Sequence, residues 1–213
     1  MKKINYFDLG LYMGWEIKHM IYNIFPELKI ENYNAYGFEA HPLYAQKVKE
    51  SITNDRVEIL NKGISSKNQK IKLYIASNGG IGNSIYSTKN NVDKNNYVEV
   101  EGIVFSEWLE SNCPNFKDEV NILKVNIEGA EWDLFTDLVS KGYHKYFTFC
   151  GAGHDVDKIK ELDSEKYWRL IKENSIEVLR FSEWKPYKNF NIKEKIQGII
   201  NDEHIGRNLP KDR

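Results

Sequence analysis

The stretch Val120-Asn121-Ile122-Leu123-Lys124-Val125-Asn126-Ile127-Glu128-Gly129-Ala130-Glu131 decides how this chain folds. Its composition predicts a strand over Asn121 to Glu128, followed after a short turn by a helix from Glu131 to Lys141 that Gly142 stops. A strand at the centre of a parallel sheet is expected to be apolar on both faces. Here the period of two puts Lys124, Asn126 and Glu128 on one face. Polar groups there are costly unless they are paired or meet a ligand. The segment therefore marks either a functional site or a buried ion pair of Lys124 with Glu128 or another acid.

Outward from this segment the same rhythm continues. Toward the N-terminus, strands are expected at Ile4 to Leu9, Asn34 to Glu39 and Val57 to Ile64. Helices are expected over Trp15 to Phe25, stopped by Pro26, and from Pro42 to Ile52, with Pro42 in the first turn. Toward the C-terminus follow a strand at Tyr146 to Cys150, a long helix from Asp155 to Asn174, a late strand at Ile176 to Phe181 and a helix over Asn191 to His204. Strands alternating with helices imply an α/β fold, a mostly parallel sheet with helices on both faces. An insert at about 66–105 interrupts the pattern. Alternating Ile71, Leu73 and Ile75, a polar loop from Ser77 to Asn96 and a strand from Tyr97 to Val104 suggest a β-hairpin addition. Ser106 is a candidate cap for a short helix. One domain is expected over 1–213, with a C-terminal tail at about 186–213.

Composition narrows the function. The chain has 213 residues, 41% of them apolar and 13% aromatic, which excludes a disordered chain. Lys and Arg number 30 against 31 Asp and Glu, so no bulk positive field points to nucleic acid. Mean hydropathy is -0.60, and no apolar run reaches the roughly 18 residues of a membrane span. Cys113 and Cys150 are too few for a disulfide framework. The opening residues lack a secretory apolar region, so a cytoplasmic location is expected.

In a doubly wound sheet, ligands bind beyond the carboxyl ends of the strands. The first strand ends in Asp8-Leu9-Gly10-Leu11-Tyr12-Met13-Gly14. This is an acid and two glycines where a dinucleotide site would carry G-x-G-x-x-G. An acid at this bend suits a ligand with an amino group and a sulfonium better than a pyrophosphate. The second strand ends in Tyr36-Gly37-Phe38-Glu39-Ala40-His41-Pro42, and Glu39 there can accept hydrogen bonds from ribose hydroxyls. The fifth core strand runs into Gly151, Gly153, His154 and Asp155, which offers His154 as a general base or as a simple neighbour of a capping acid.

The segments Asp8 to Gly14, Tyr36 to Pro42 and Leu123 to Trp132 resemble the FkbM family of S-adenosylmethionine-dependent methyltransferases. Asp8 to Gly14 is similar to the family's D-V-G-A-N-x-G turn, Tyr36 to Pro42 to its F-E-P-x-P segment, and Leu123 to Trp132 to its L-K-x-D-x-E-G-A-E signature. The likeness spans about residues 4–155. It implies a three-layer class I methyltransferase (Rossmann-like) fold and methyl transfer to a hydroxyl of a sugar or glycan, such as a surface polysaccharide precursor. It also implies that Asp8, Gly10 and Gly14 line the methionine end of S-adenosyl-L-methionine and that Glu39 holds its ribose. Ser84, Asn126 and Glu128 would approach cofactor or substrate. The family's Ala-Asn is Leu11-Tyr12 here, and its Asp is Asn126. Substrate cover is expected from the insert, the tail or the second subunit of a homodimer.

The hydroxyl proton needs an acceptor, with His154 first, Glu128 second and Lys124 third. No metal is expected, because no motif stands behind a magnesium ion between Asp155 and Glu128. Tyr86, Trp108, Trp132, Tyr167, Trp168 and Trp184 are candidates either for a sugar-stacking platform or for core. The competing readings are a scaffold that binds the cofactor without turnover, and a nucleic-acid base methyltransferase, which would want an N/D-P-P-Y/F segment that this chain lacks.

Overall fold

A computed structural model describes residues 2–77, 81–152, 155–176 and 192–201. Its main sheet has five parallel strands, β1 (Ile4–Leu9), β2 (Tyr33–Phe38), β3 (Val57–Leu60), β7 (Val120–Val125) and β8 (Phe147–Ala152), in the order β3-β2-β1-β7-β8. Between β3 and β7 in the chain, β4 (Gly63–Ile64), β5 (Gln69–Ala76) and β6 (Val92–Ile103) form a second sheet, with β5 and β6 antiparallel. The expected strand from Val57 to Ile64 thus divides between the two sheets. The expected loop from Ser77 to Asn96 gives up its last residues to β6.

The period of two sorts each central strand onto two cores. Phe7, Leu9, Leu123 and Val125 face one side, with α4 (Phe105–Asn112), α5 (Glu131–Ser140) and α6 (Ser164–Glu173) packed there. Ile4, Tyr6, Val120 and Ile122 face the other. That side is covered by α1 (Trp15–His19), α3 (Pro42–Ser51) and, through Ile196, α7 (Ile192–Asn201). All six residues of β1 and of β7 are buried, as a doubly covered parallel sheet requires.

Several boundaries differ from expectation for local reasons. α1 continues through a π-helical stretch, Met20–Ile24, into α2 (Phe25–Glu27), so Pro26 lies inside the last turn. The expected helix from Asp155 to Asn174 is a 3₁₀ turn, Asp155–Lys158, then α6, whose start is capped when Asp163 accepts a hydrogen bond from the Lys166 amide. Ser106 does not cap α4. It is buried, and its amide and hydroxyl donate to Asp137 at 3.0 and 2.7 Å. Beyond Ile176, the expected late strand lies outside the described residues, as does most of the tail. Among the described residues, no helix is long and apolar enough to cross a membrane.

Candidate active site

From β1 the chain winds outward to β2 and β3, then returns on the far side of β1 as β7 and β8. The winding reverses between β1 and β7, where a crevice is expected at the carboxyl ends. A cavity of about 660 Å³ opens there. One wall is Gly10, Leu11, Tyr12 and Glu39, and the floor includes Lys124 and Asn126. The opposite wall is Ile81 to Asn83 of the insert with Glu128 and Asp155.

The two strand ends touch. Asp8 and Lys124 are register partners across β1 and β7. Beyond them, a Cβ on Gly10 (φ +85°) would lie 1.8 Å from the Asn126 carbonyl oxygen, so only glycine fits. Asp8 is wholly buried and does not reach the cavity. The Lys124 ammonium bridges it at 2.8 Å and donates to the Gly10 carbonyl at 2.7 Å. Burial pushes the Asp8 carboxyl up to about 6 against the pull of Lys124. The partner of Lys124 is therefore Asp8 rather than Glu128, and its ammonium braces the glycine bend. Gly14 lies behind the bend, against Val48.

Glu39 stands at the end of β2, nearly buried. Its Oε2 accepts from the Tyr12 amide at 2.7 Å and its Oε1 from the His41 amide at 2.8 Å. Burial raises its carboxyl, and these two amides and Lys124 lower it. Each oxygen keeps a second lone pair for a ligand hydroxyl. The Tyr12 contact holds that residue at φ 49°, a conformation uncommon outside glycine. The Tyr12 ring packs on Trp15 and Tyr44, and Trp15 is 65% exposed at the rim.

The predicted strand ends early, at Val125, so the alternation stops before Asn126 and Glu128. Glu128 sits in a turn at φ 57°, followed by Gly129 at φ 110°. A Cβ on Gly129 would lie 1.9 Å from Ile159. The turn is held from inside by Glu131, which is fully buried. Its carboxylate accepts from the Ile127 amide at 2.9 Å and the Gly129 amide at 2.6 Å. The Ser84 hydroxyl holds it from outside, donating to the Glu128 carbonyl at 2.7 Å. Ser84 is buried, so it shapes the wall rather than lining the cavity. Asn126 lines the cavity.

Glu128 belongs to a charged cluster. The ammonium of Lys89, from the insert, meets Glu128 Oε2, lies 2.8 Å from Asp155 Oδ2 and donates to the Gly82 carbonyl at 3.0 Å. Lys158 pairs with the other Asp155 oxygen. Burial, then the neighbouring Asp155, push the Glu128 carboxyl up to about 8. Burial works against ionising Asp155, but hydrogen bonds from Glu128, Lys158 and Lys89 hold its carboxyl well below the usual range. Glu128 is thus the member that keeps the proton near neutral pH. No group of three or more His, Cys, Asp or Glu able to hold a metal converges among the described residues.

The candidate residues Gly10, Glu39, Lys124, Asn126 and Glu128 thus share one cavity. Asp8, Gly14 and Ser84 support it from behind, and His154 lies outside the described residues. Lys89 had no signal in a polar loop. Glu131 had one, since an acid in the first turn of a helix suits its amide-rich end. Of the aromatic candidates, Trp108, Trp132, Tyr167 and Trp168 belong to or pack against the core. Tyr86 bonds Asp133, and Trp184 lies outside the described residues. Compared with protein-family models, curated proteins and solved structures, the chain matches none.

Proposed function

We propose that the chain is an S-adenosylmethionine-dependent O-methyltransferase acting on a hydroxyl of a sugar or glycan, as its resemblance to FkbM enzymes implies. One observation carries this reading: the glycine bend after β1 and the Glu39 carboxylate after β2 share a wall of the cavity at the reversal of the sheet. Such a cavity, about 660 Å³, is in the range of sites for ligands of this size. Glu39 would accept from the ribose, Leu11 and Phe38 would cover apolar surface, and the Gly10–Tyr12 turn would follow the methionine portion. When bound, the cofactor supplies a methyl group whose carbon bonds to the acceptor oxygen as the carbon–sulfur bond breaks, its electron pair staying on sulfur. The acceptor's proton goes to a carboxylate or imidazole of the chain, and Glu128 is the described candidate.

Calorimetric titration with S-adenosylhomocysteine tests the reading. Saturable binding is expected in the wild type, weakened by about 10-fold or more in Glu39→Ala through two lost hydrogen bonds of roughly 1 kcal/mol each. No heat at millimolar ligand overturns it. A second reading, a donor-binding module without turnover, is favoured by Leu11, Tyr12 and Asn126, which line the cavity where the family it resembles carries Ala-Asn and Asp. Transfer of labelled methyl from the donor into a polysaccharide fraction excludes that reading.

A further inference from the structure

Three segments remote in sequence meet at Glu128. The insert loop brings Lys89 and Tyr86, the 3₁₀ turn brings Asp155 and Lys158, and the turn after β7 brings Glu128 itself with Glu131. Lys89 is only 3% exposed, although it comes from a surface addition. A lysine is buried this deeply only when its charge is matched. Its acceptors are Glu128, Asp155 and the Gly82 carbonyl, so its position is fixed from three directions.

The main chain is tied down as well. Lys89 bridges Ile159 antiparallel, and Tyr74 and Ser84 exchange main-chain hydrogen bonds. Residues 81–91 thus form a fixed wall of the cavity. Glu128 uses Oε2 for Lys89, while Oε1 accepts no hydrogen bond from a described residue. Tyr86 is occupied by Asp133, and Glu131 by two amides. Lys89 is therefore the one cation in direct contact with the Glu128 carboxylate among the described residues.

We propose that Lys89 is the positioning residue for Glu128: it fixes one carboxylate oxygen against the insert and leaves the other to take the acceptor's proton. The inference rests on reading the cavity as a methyl-transfer site. Within it, Glu128 acts in its ionised form, whose share grows as pH rises toward about 8: the proton leaves the acceptor hydroxyl for Glu128 Oε1 while the oxygen's electron pair forms the new bond to carbon and the carbon–sulfur pair stays on sulfur. Asp155 anchors the ammonium, and Lys158 neutralises the remaining charge on Asp155.

The test follows the Glu128 side-chain carboxyl by carbon-13 NMR in protein labelled at glutamate, its signal assigned by loss in Glu128→Gln. In Lys89→Met the titration midpoint is expected to rise by about 1–3 pH units, because an opposite charge in contact is removed. Lys89→Arg is expected to keep a midpoint near the wild type. In Asp155→Asn the midpoint is expected to fall, because a like charge is removed. An unchanged or lowered midpoint in Lys89→Met overturns the proposal. Should that variant lack a native amide spectrum, Lys89→Gln decides by the same midpoint: a rise supports the proposal, and an unchanged or lowered midpoint overturns it. Calorimetry with S-adenosylhomocysteine on the wild type runs in parallel, so failure of the cofactor reading is distinguished from failure of the role given to Lys89.

Discussion

Gly10 and Lys124 show how tightly single residues constrain this site. Any side chain at 10 meets the Asn126 carbonyl at 1.8 Å, and that carbonyl belongs to the main chain of a central strand end. Gly10→Ala is expected to cost about 1–3 kcal/mol from backbone conformation alone, with the clash added. A lowered urea midpoint with weakened ligand binding would show it. Lys124→Met leaves Asp8 buried without its cation. A loss of about 3–5 kcal/mol is expected at pH 8, where Asp8 is ionised, and a smaller loss at pH 5, where it takes a proton. Equal losses at both values would mean that charge is not what Lys124 contributes. Glycine at the bend was legible in the sequence, and so was a buried pair for Lys124. Which acid it meets was not, because register between β1 and β7 decides that, and register is not local.

At the scale of elements, the turn between β7 and α5 is the part least visible beforehand. The alternation predicts a strand to Glu128, yet β7 ends at Val125, and the Asn126 amide makes one further bond to β1, on the Leu9 carbonyl. The turn instead takes two successive left-handed residues, Glu128 and Gly129. The Glu131 carboxylate supplies acceptors for the amides that such a turn exposes. Glu131→Gln keeps the shape but removes one acceptor, so a buried N–H loses its partner. About 1–3 kcal/mol of stability is expected to go. Hydrogen exchange at the Ile127 and Gly129 amides should accelerate more than exchange in β1. The insert was legible as a hairpin from its alternation. Its role as a fixed wall was not, since Ser84 and Lys89 reach the turn after β7 through Glu128, more than thirty residues away.

For the whole molecule, the two acids of the charged cluster pull stability in opposite directions with pH. The Glu128 carboxyl sits at about 8 in the folded chain against an ordinary 4.5. The folded chain therefore holds a proton that the unfolded chain has released, and stability falls as pH rises between those values. The Asp155 carboxyl is held below its ordinary 3.8, so its contribution is present above that value and is lost as pH falls below it. Urea midpoints measured from pH 5 to 8 should decline less steeply in Glu128→Gln than in the wild type. Parallel curves would assign the decline to other groups.

The architecture itself was readable: five parallel strands covered on both sides follow from the alternation of apolar runs and helical spacings. The cavity required the order of the strands, which no single segment encodes.

The second sheet enters the chain between the two windings of the first, and it furnishes one side of the cavity while β1 and β2 furnish the other. Selection of partner molecules can therefore diverge by rewriting residues 81–91, with the bend at Gly10 and the carboxylate at Glu39 left as they are. Lys89 limits that freedom. Any replacement segment must return a cation to the same spot, or the altered pocket inherits two opposed acids with nothing between them.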